Sequence, residues 1–247
     1  MELQEILYCQ GFGTRRVCAG LVQQGWVTVY ENGQTTGEKC QDAFQEFKTE
    51  GLELDVQGKR WPFHAKAYIM LNKPMNVECS QKPSVYPSIY SLLPPPLRQR
   101  PQKGAVDGVQ AVGRLDQDTT GLLLLSDDGK FIHKMSSPKT HLPKVYHATV
   151  KHPLDQKQID KLLSGVVLDD DPKPVKASSC QILAPNLLEL VLTEGKYHQV
   201  KRMVAAVSNR VEGLHRAKIG GLELPVDLAP GQWRWLSQAD LTLLMQK

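Results

Sequence analysis

Residues 113–129, GRLDQDTTGLLLLSDDG, place an arginine and an aspartate between two apolar segments. Val112 precedes this stretch, and a run of four leucines, residues 122–125, follows within a few positions. Charged side chains are rarely buried without a partner, because an isolated ion loses its hydration in a core. Asp116 therefore lies either in a surface turn or at the edge of a core, where it serves a chemical purpose.

The composition is that of one large domain, or of a small module followed by a domain of ordinary size. Of the 247 residues, 41% are hydrophobic, which is enough for a substantial core. No run of about 18 apolar residues exists, and the start, MELQEILYCQG, lacks the basic and apolar regions of a signal peptide. Five widely spaced cysteines form no disulfide pattern and indicate a reducing, cytoplasmic location.

The charge distribution favours a polyanionic partner, and the spacing of possible metal ligands gives no sign of a metal site. The first 62 residues carry 6 Lys and Arg against 9 Asp and Glu, whereas the remainder carries 24 against 17. A basic main body suits a polyanion. The seven histidines show no metal-ligand spacing, and the acidic run at residues 169–171 indicates a solvated loop, so we expect no metal.

The first 60 residues predict a small module of two helices and a strand. Leu3, Ile6 and Leu7 have helical spacing, and Gly11 is a plausible stop. Thr14 can cap a second helix. The apolar face of that helix is expected to hold Val17, Cys18, Leu21 and Val22. The segment WVTVY then predicts a strand, and Asn32-Gly33 predicts a turn.

The main body, residues 67–247, predicts an α+β domain with a mixed, mainly antiparallel sheet, because strands outnumber helices without alternating with them. AYIMLNKP, YHATV and LLELVLTEG predict strands, HQVKRMVAAV predicts a helix, and Ser237 with Asp240 predicts a capping box. Residues 61–66 are expected to be a linker. The proline-rich segment 83–108 is expected to be a surface loop, either an insertion or a basic finger that touches phosphate.

Two parts of the sequence resemble known protein families. TRRVCAGLVQQGWVTVYENG resembles the S4 RNA-binding module, with Arg15 and Arg16 at the start of its second helix; the alternative is a small α+β element with a solvated arginine pair. GRLDQDTTGLLLLSDDG resembles the signature of pseudouridine synthases. YIMLNKPMNVECS, PKVYHATV and LTEGKYHQVKRMVAAVSNRVEGLHRAKIGGLEL match further blocks of that family, in order. The module and the GKYHQVKRM form are similar to the RsuA-like branch, which modifies ribosomal RNA.

The resemblance implies a catalytic centre without a cofactor. Asp116 corresponds to the family's catalytic aspartate and can serve as nucleophile or base toward the ribose. To stay ionised in a cleft it needs a cation. The HQVKRM block offers Lys201 and Arg202, separated by about 100° on a helix. Lys201 lies nearer the apolar stripe, so we predict the ion pair for Lys201 and a phosphate contact for Arg202.

Other site residues follow from the same resemblance. Tyr146 corresponds to the active-site tyrosine, which can stack on a flipped base; the alternative is a half-buried strand tyrosine. Arg114 is expected to fill the space the uridine leaves or hold a phosphate, unless it forms a salt bridge to a nearby aspartate. Lys73 and Lys144 are plausible phosphate contacts or solvated lysines. For one set we expect packing or RNA contact rather than catalysis: His147, His198 and Leu192.

The expected partner is ribosomal RNA, and no membrane contact is expected. DDDPKPVKA and HRAKIGGLELPVDLAPGQWRWL most resemble family members that act on small-subunit (16S) RNA, and a monomer is expected. Two alternatives remain: a synthase for large-subunit (23S) RNA, and an RNA-binding or ribosome-assembly protein whose catalytic centre is unused. The presence of Asp116, Tyr146 and Lys201 argues against the last alternative.

Overall fold

The computed structural model describes residues 1–31, 33–102, 104, 106–169 and 171–246, without the side chain of Asp171. Asn32 of the predicted turn and Asp170 of the acidic run lie outside the described residues. The chain forms two compact units. Unit 1 comprises residues 1–67, 93–110 and 126–128, and unit 2 comprises residues 68–92, 111–125 and 129–247.

Unit 1 begins with two helices and a four-stranded antiparallel sheet of order β2-β1-β3-β4. Its elements are α1 (Leu3–Gln10), α2 (Arg15–Gln23), β1 (Val27–Tyr30), β2 (Glu38–Cys40), β3 (Glu53–Val56), β4 (Lys59–Pro62) and α3 (Pro95–Arg98). The predicted helix boundaries are confirmed: Gly11 ends α1 with φ +90°, and the Thr14 side chain accepts a hydrogen bond from the Val17 amide. Cys18 and Val22 are buried in the core of unit 1, whereas Val17 is exposed.

The segment predicted as a linker begins inside a strand. Trp61 belongs to β4, is buried, and packs edge-to-face on Phe12, so residues 61 and 62 are part of unit 1. The pattern misled because the turn at Gln57 and Gly58 leads into a strand whose first two residues, Lys59 and Arg60, are exposed and charged, so that Trp61 is the single large apolar side chain nearby.

The proline-rich segment contributes a short helix and buried side chains to unit 1. Leu97 and Arg100 are buried, and the Arg100 guanidinium donates to Asp127 Oδ2 (2.7 Å), Gln10 Oε1 (3.0 Å) and the His64 carbonyl (2.7 Å). The second oxygen of Asp127 accepts the Ala67 amide at 2.7 Å. The surface-loop prediction is therefore wrong for residues 93–102, because a fully hydrogen-bonded arginine can be buried.

Unit 2 is built on a mixed sheet of order β11-β12-β8-β13-β7-β5-β15. The strands are β5 (Tyr68–Lys73), β6 (Gln110–Val112), β7 (Thr119–Ser126), β8 (Lys144–Val150), β9 (Val166–Leu168), β10 (Asp171–Val175), β11 (Ser179–Ala184), β12 (Leu187–Leu192), β13 (Val211–Ile219), β14 (Leu222–Glu223) and β15 (Trp233–Trp235). The α-helices are α4 (Gly129–Ser136), α5 (Gln156–Ser164), α6 (Gln199–Ala206) and α7 (Gln238–Leu244), and 3₁₀ turns lie at Ile89–Leu92 and Pro138–Thr140.

The pairing of these strands agrees with the predicted α+β class. β13 pairs with β7 in parallel, whereas β11-β12, β12-β8, β8-β13 and β15-β5 are antiparallel. The leucine run of the opening motif lies in β7, near the middle of the sheet, and all four leucines are buried. A strand covered on both faces is apolar without alternation, which explains the LLLL pattern. The predicted capping box of α7 is confirmed: Ser237 and Asp240 hydrogen-bond reciprocally.

Candidate active site

Asp116 lies in the turn that joins β6 to β7, at the edge of the core of unit 2. The turn begins at Gly113, whose φ of +71° favours glycine, and it closes with a hydrogen bond from the Thr119 amide to the Asp116 carbonyl (3.1 Å). Leu115 and Thr119 are buried on either side, and the Asp116 side chain is 31% exposed. This carboxylate is thus held in place and still accessible.

Lys73 is buried beside this turn and binds its backbone. Its side chain is fully buried, and its Nζ donates to the backbone carbonyls of Thr119 (2.9 Å), Pro74 (3.0 Å) and Gln117 (3.2 Å). Burial lowers the pKa of the Lys73 ammonium, although nearby acidic groups oppose this shift. The prediction of a phosphate contact is corrected here: three carbonyl acceptors bind the ammonium inside the fold.

Lys201 lies between two carboxylates. It projects from α6, and its Nζ donates to Asp118 Oδ1 (2.7 Å) and to Asp116 Oδ2 (3.2 Å). Burial would lower the pKa of Lys201, but the hydrogen bonds to Asp118 and Asp116 outweigh it and raise the pKa. For Asp118, burial acts to raise the pKa, but the hydrogen bond and charge of Lys201 outweigh it and lower the pKa. The site therefore holds a charged lysine beside Asp116.

His198 also reaches Asp116, a contact that the sequence interpretation missed. It precedes α6 with φ +48°, and its Nε2 lies 3.4 Å from Asp116 Oδ1. Its ring stacks on Tyr197, with centroids 3.8 Å apart and planes inclined by 19°. The spacing of His198 and Lys201, three residues apart at a helix start, places both on one side of α6 and could have indicated this.

A cavity of about 260 Å³ opens beside Asp116. Its wall is part apolar and part charged. Tyr146, Leu192 and Leu214 supply apolar surface, while Arg114, Lys144 and Arg216 supply positive charge. Asp116, His198 and Lys201 also line the cavity. Since ligand sites combine apolar walls with a few directed polar groups, this cavity is the candidate active site of unit 2.

Tyr146 and Arg216 are cross-strand partners on β8 and β13, so their side chains share one face of the sheet. Both are buried and both line the cavity. Arg216 was missed by the sequence interpretation. The available signal was the alternation of Leu214 and Arg216, which puts both residues on the inward face of a strand.

The remaining predicted RNA contacts lie in different places. Arg114 is exposed and lines the cavity, and Lys144 lines it while donating to the Leu142 carbonyl (3.2 Å). The Arg202 guanidinium donates to the Tyr197 carbonyl (3.1 Å). In unit 1, Arg15 pairs with Glu5 and lies 4.1 Å above the Tyr8 ring, and Arg16 is exposed at the start of α2.

Two further features concern the part of the chain that the structure describes. There, no helix is long and apolar enough to span a membrane. Nor do three or more His, Cys, Asp or Glu side chains group there in a way that could hold a metal ion.

Comparisons with known proteins point to one family. A family model described as RNA pseudouridylate synthase matches residues 67–206. The ribosomal small subunit pseudouridine synthase A of Pasteurella multocida is 38% identical over 229 residues, 92% of each chain. The protein of the same name from Vibrio vulnificus is 37% identical over 249 residues, 98% of each chain. A crystal structure of a pseudouridylate synthase matches with a TM-score of 0.67 and 33% identity, over 99% of both chains.

Proposed function

This chain belongs to the RNA pseudouridylate synthase family, and we propose that it isomerises one uridine of small-subunit (16S) ribosomal RNA to pseudouridine. The two relatives described above carry the name ribosomal small subunit pseudouridine synthase A, and each matches along more than nine-tenths of its length. This full-length similarity supports the small subunit as the source of the substrate.

The observation that carries the catalytic part of the proposal is the contact between Lys201 and Asp116 beside the cavity. Isomerisation breaks the bond between N1 and C1′ of the nucleotide, rotates the uracil, and forms a bond between C5 and C1′. One proton leaves C5 and one is taken up at N1, so the reaction balances without an oxidant or reductant. Asp116 acts on the ribose as nucleophile or base, and the hydrogen bond from Lys201 orients its carboxylate.

The cavity accepts the base once it has left the RNA stack. Flipping a base out costs a few kcal/mol of unstacking, which contacts in the pocket must offset. In our proposal, the Tyr146 ring stacks on the flipped uracil, and Leu192 and Leu214 pack around it. Arg114 enters the space that the uridine vacates or binds a flanking phosphate.

RNA binding outside the cavity is assigned to basic side chains at its mouth and in unit 1. Arg202 contacts the phosphate backbone near the target nucleotide, and Arg15 and Arg16 give unit 1 an S4-like RNA-binding role. Phosphate contacts supply most of the affinity for nucleic acid and make it depend on salt. We further propose that the chain acts as a monomer in the cytoplasm; light scattering after size-exclusion chromatography tests the monomer.

Carbodiimide labelling followed by primer extension across both ribosomal RNAs tests the function. RNA from a strain lacking the gene is compared with RNA from strains that express the wild type or Asp116→Asn. One stop missing from small-subunit RNA, restored only by the wild type, is the expected result. A stop missing from large-subunit RNA would show that the substrate lies in that RNA instead. If no stop were missing from either RNA, the proposed isomerisation would be contradicted and an RNA-binding protein without this activity would be favoured.

A further inference from the structure

Arg216 is a buried arginine in the cavity wall with spare hydrogen-bonding capacity. Its side chain is 3% exposed, and its Nε donates to the Leu122 carbonyl at 2.8 Å. Its Nη2 is also buried, and no described residue accepts a hydrogen bond from it. Buried donors almost always find an acceptor, because an unpaired one has lost its hydration without compensation. Arg216 also lines the cavity, so a ligand there can offer acceptors to its guanidinium.

Lys144 brings a second cation to the same wall. Burial lowers the pKa of its ammonium, and the positive charge of Arg216 lowers it further. In the described part of the chain, neither residue forms an ion pair with a carboxylate. The two carboxylates that line the cavity are engaged elsewhere: Asp116 contacts Lys201 and His198, and Glu194 accepts from Gln199. This wall therefore carries positive charge that the fold does not neutralise.

We propose that Arg216, assisted by Lys144, binds the two carbonyl oxygens of the flipped uracil, O2 and O4. The inference rests on the uridine isomerisation proposed above and names the residues that recognise the base. Uracil is neutral, and these two oxygens are its strongest acceptors. Tyr146 pairs with Arg216 across neighbouring strands, so a base stacked on the tyrosine ring lies beside the guanidinium.

The reaction itself explains why cations at this place are useful. When the N1–C1′ bond breaks, its electron pair stays on the base, and the negative charge spreads over O2 and O4. Rotation of uracil by 180° about the axis through N3 and C6 exchanges N1 with C5 and, at the same time, O2 with O4. Fixed donors that face the two carbonyls before rotation therefore face two carbonyls after it. Arg216 and Lys144 can stabilise the detached base throughout, without moving.

The test replaces oxygen by sulfur in the substrate. Synthetic RNAs contain the uridine mapped by primer extension, in whichever ribosomal RNA it lies, as uridine, 2-thiouridine or 4-thiouridine. Single-turnover rates are measured for the wild type, Arg216→Met, Arg216→Lys and Arg210→Met. Arg210 precedes β13, is exposed and pairs with Glu212, so its variant is the matched control. Circular dichroism and thermal melting report whether each variant is folded.

We expect the wild type and the control to lose about 3- to 10-fold in rate on each thiouridine, because sulfur is the weaker acceptor. Arg216→Met should lose about 10- to 100-fold on uridine, with partial rescue in Arg216→Lys. The ratio of the uridine rate to the thiouridine rate should be smaller in Arg216→Met than in the wild type. Intrinsic effects of sulfur on bond cleavage affect both proteins alike and cancel in this comparison.

Two results would overturn the inference. One is an equal thiouridine effect in the wild type and in Arg216→Met. The other is a uridine rate within about threefold of the wild type in a folded Arg216→Met or, if that variant does not fold, an equal thiouridine effect in the wild type and in Arg216→Lys. Failure of the proposed function looks different, since the wild type would then form no pseudouridine from the unmodified RNA.

Discussion

Replacing Lys201 by methionine should slow the reaction strongly without abolishing RNA binding. The substitution keeps most of the aliphatic side chain but removes the ammonium that donates to Asp118 at 2.7 Å and to Asp116 at 3.2 Å. Asp116 then keeps the His198 imidazole at 3.4 Å as its neighbour. Asp116 therefore loses a charged partner and also a geometric restraint.

The magnitude follows from the distances and the exposure of the pair. Two unit charges 3.2 Å apart attract by about 5 kcal/mol at an effective dielectric constant of about 20. The Lys201 and Asp116 side chains are 25% and 31% exposed, so solvent screens a large part of this attraction. A hydrogen bond to a charged group contributes about 1.5–3 kcal/mol net. We therefore expect kcat to fall by about 10- to 150-fold.

Single-turnover and steady-state rates on the mapped RNA measure this effect. KM should change much less than kcat, because Lys201 faces Asp116 and not the RNA backbone. Lys201→Arg should recover part of kcat, since it restores the positive charge. The matched control is Lys218→Met, because Lys218 pairs with the exposed Glu223 away from the cavity. A kcat for Lys201→Met within about threefold of wild type would refute the assigned role.

Four further outcomes are expected. Asp116→Asn should abolish pseudouridine formation and leave RNA affinity within about twofold in filter binding, since the carboxylate does chemistry and not docking; turnover by a preparation free of deamidated protein would contradict this. Arg16→Gln should weaken RNA binding at every sequence and reduce the slope of log affinity against log salt by about 0.7–0.9, measured by salt titration. Arg100→Met should lower the free energy of unfolding by about 3–5 kcal/mol in denaturant titration, because it leaves a buried carboxylate unpaired. Hydrogen bonds from Arg234 lower the pKa of Asp240 from 3.8 to about 2. This group therefore stabilises the fold above pH 3.8 and loses its contribution as pH falls toward 2. Asp240→Asn should lower the free energy of unfolding by about 1–2 kcal/mol at pH 7 and by almost nothing near pH 2, as measured by unfolding across that range.

Local structure was well predicted wherever a few neighbouring residues decide it. The Thr14 cap, the Gly11 stop and the capping box of Ser237 with Asp240 each depend on a side chain and an amide within three or four positions. The α+β class followed from periodicity, because periodicity depends only on which faces of the helices and strands are apolar. The order of family-like blocks identified the chemistry, because that order is itself a property of the sequence.

Errors arose where burial depends on partners that are distant in the chain. Lys73 looked like a surface lysine at the end of a strand, but its acceptors include the carbonyls of Gln117 and Thr119, about 45 residues away. Arg100 lies in a proline-rich segment whose composition is typical of a loop, and its buried partners, Gln10 and Asp127, come from both ends of unit 1. These contacts join residues that are too far apart in the chain for any local stretch of sequence to reveal them.

The class of the fold and the resemblance to one family could be read from the sequence, which left open whether Asp116 lies in a surface turn or at the edge of a core. Helical geometry also favoured Lys201 over Arg202. The tertiary structure decided which other groups surround the carboxylate: Asp118 shares Lys201, and His198 approaches from the start of α6. Arg216 acquired its place only through the pairing of β13 with β8 and β7. The physical reason is that hydrogen bonds and ion pairs act over about 3 Å in space, whereas Lys201 and Asp116 are 85 residues apart in the chain.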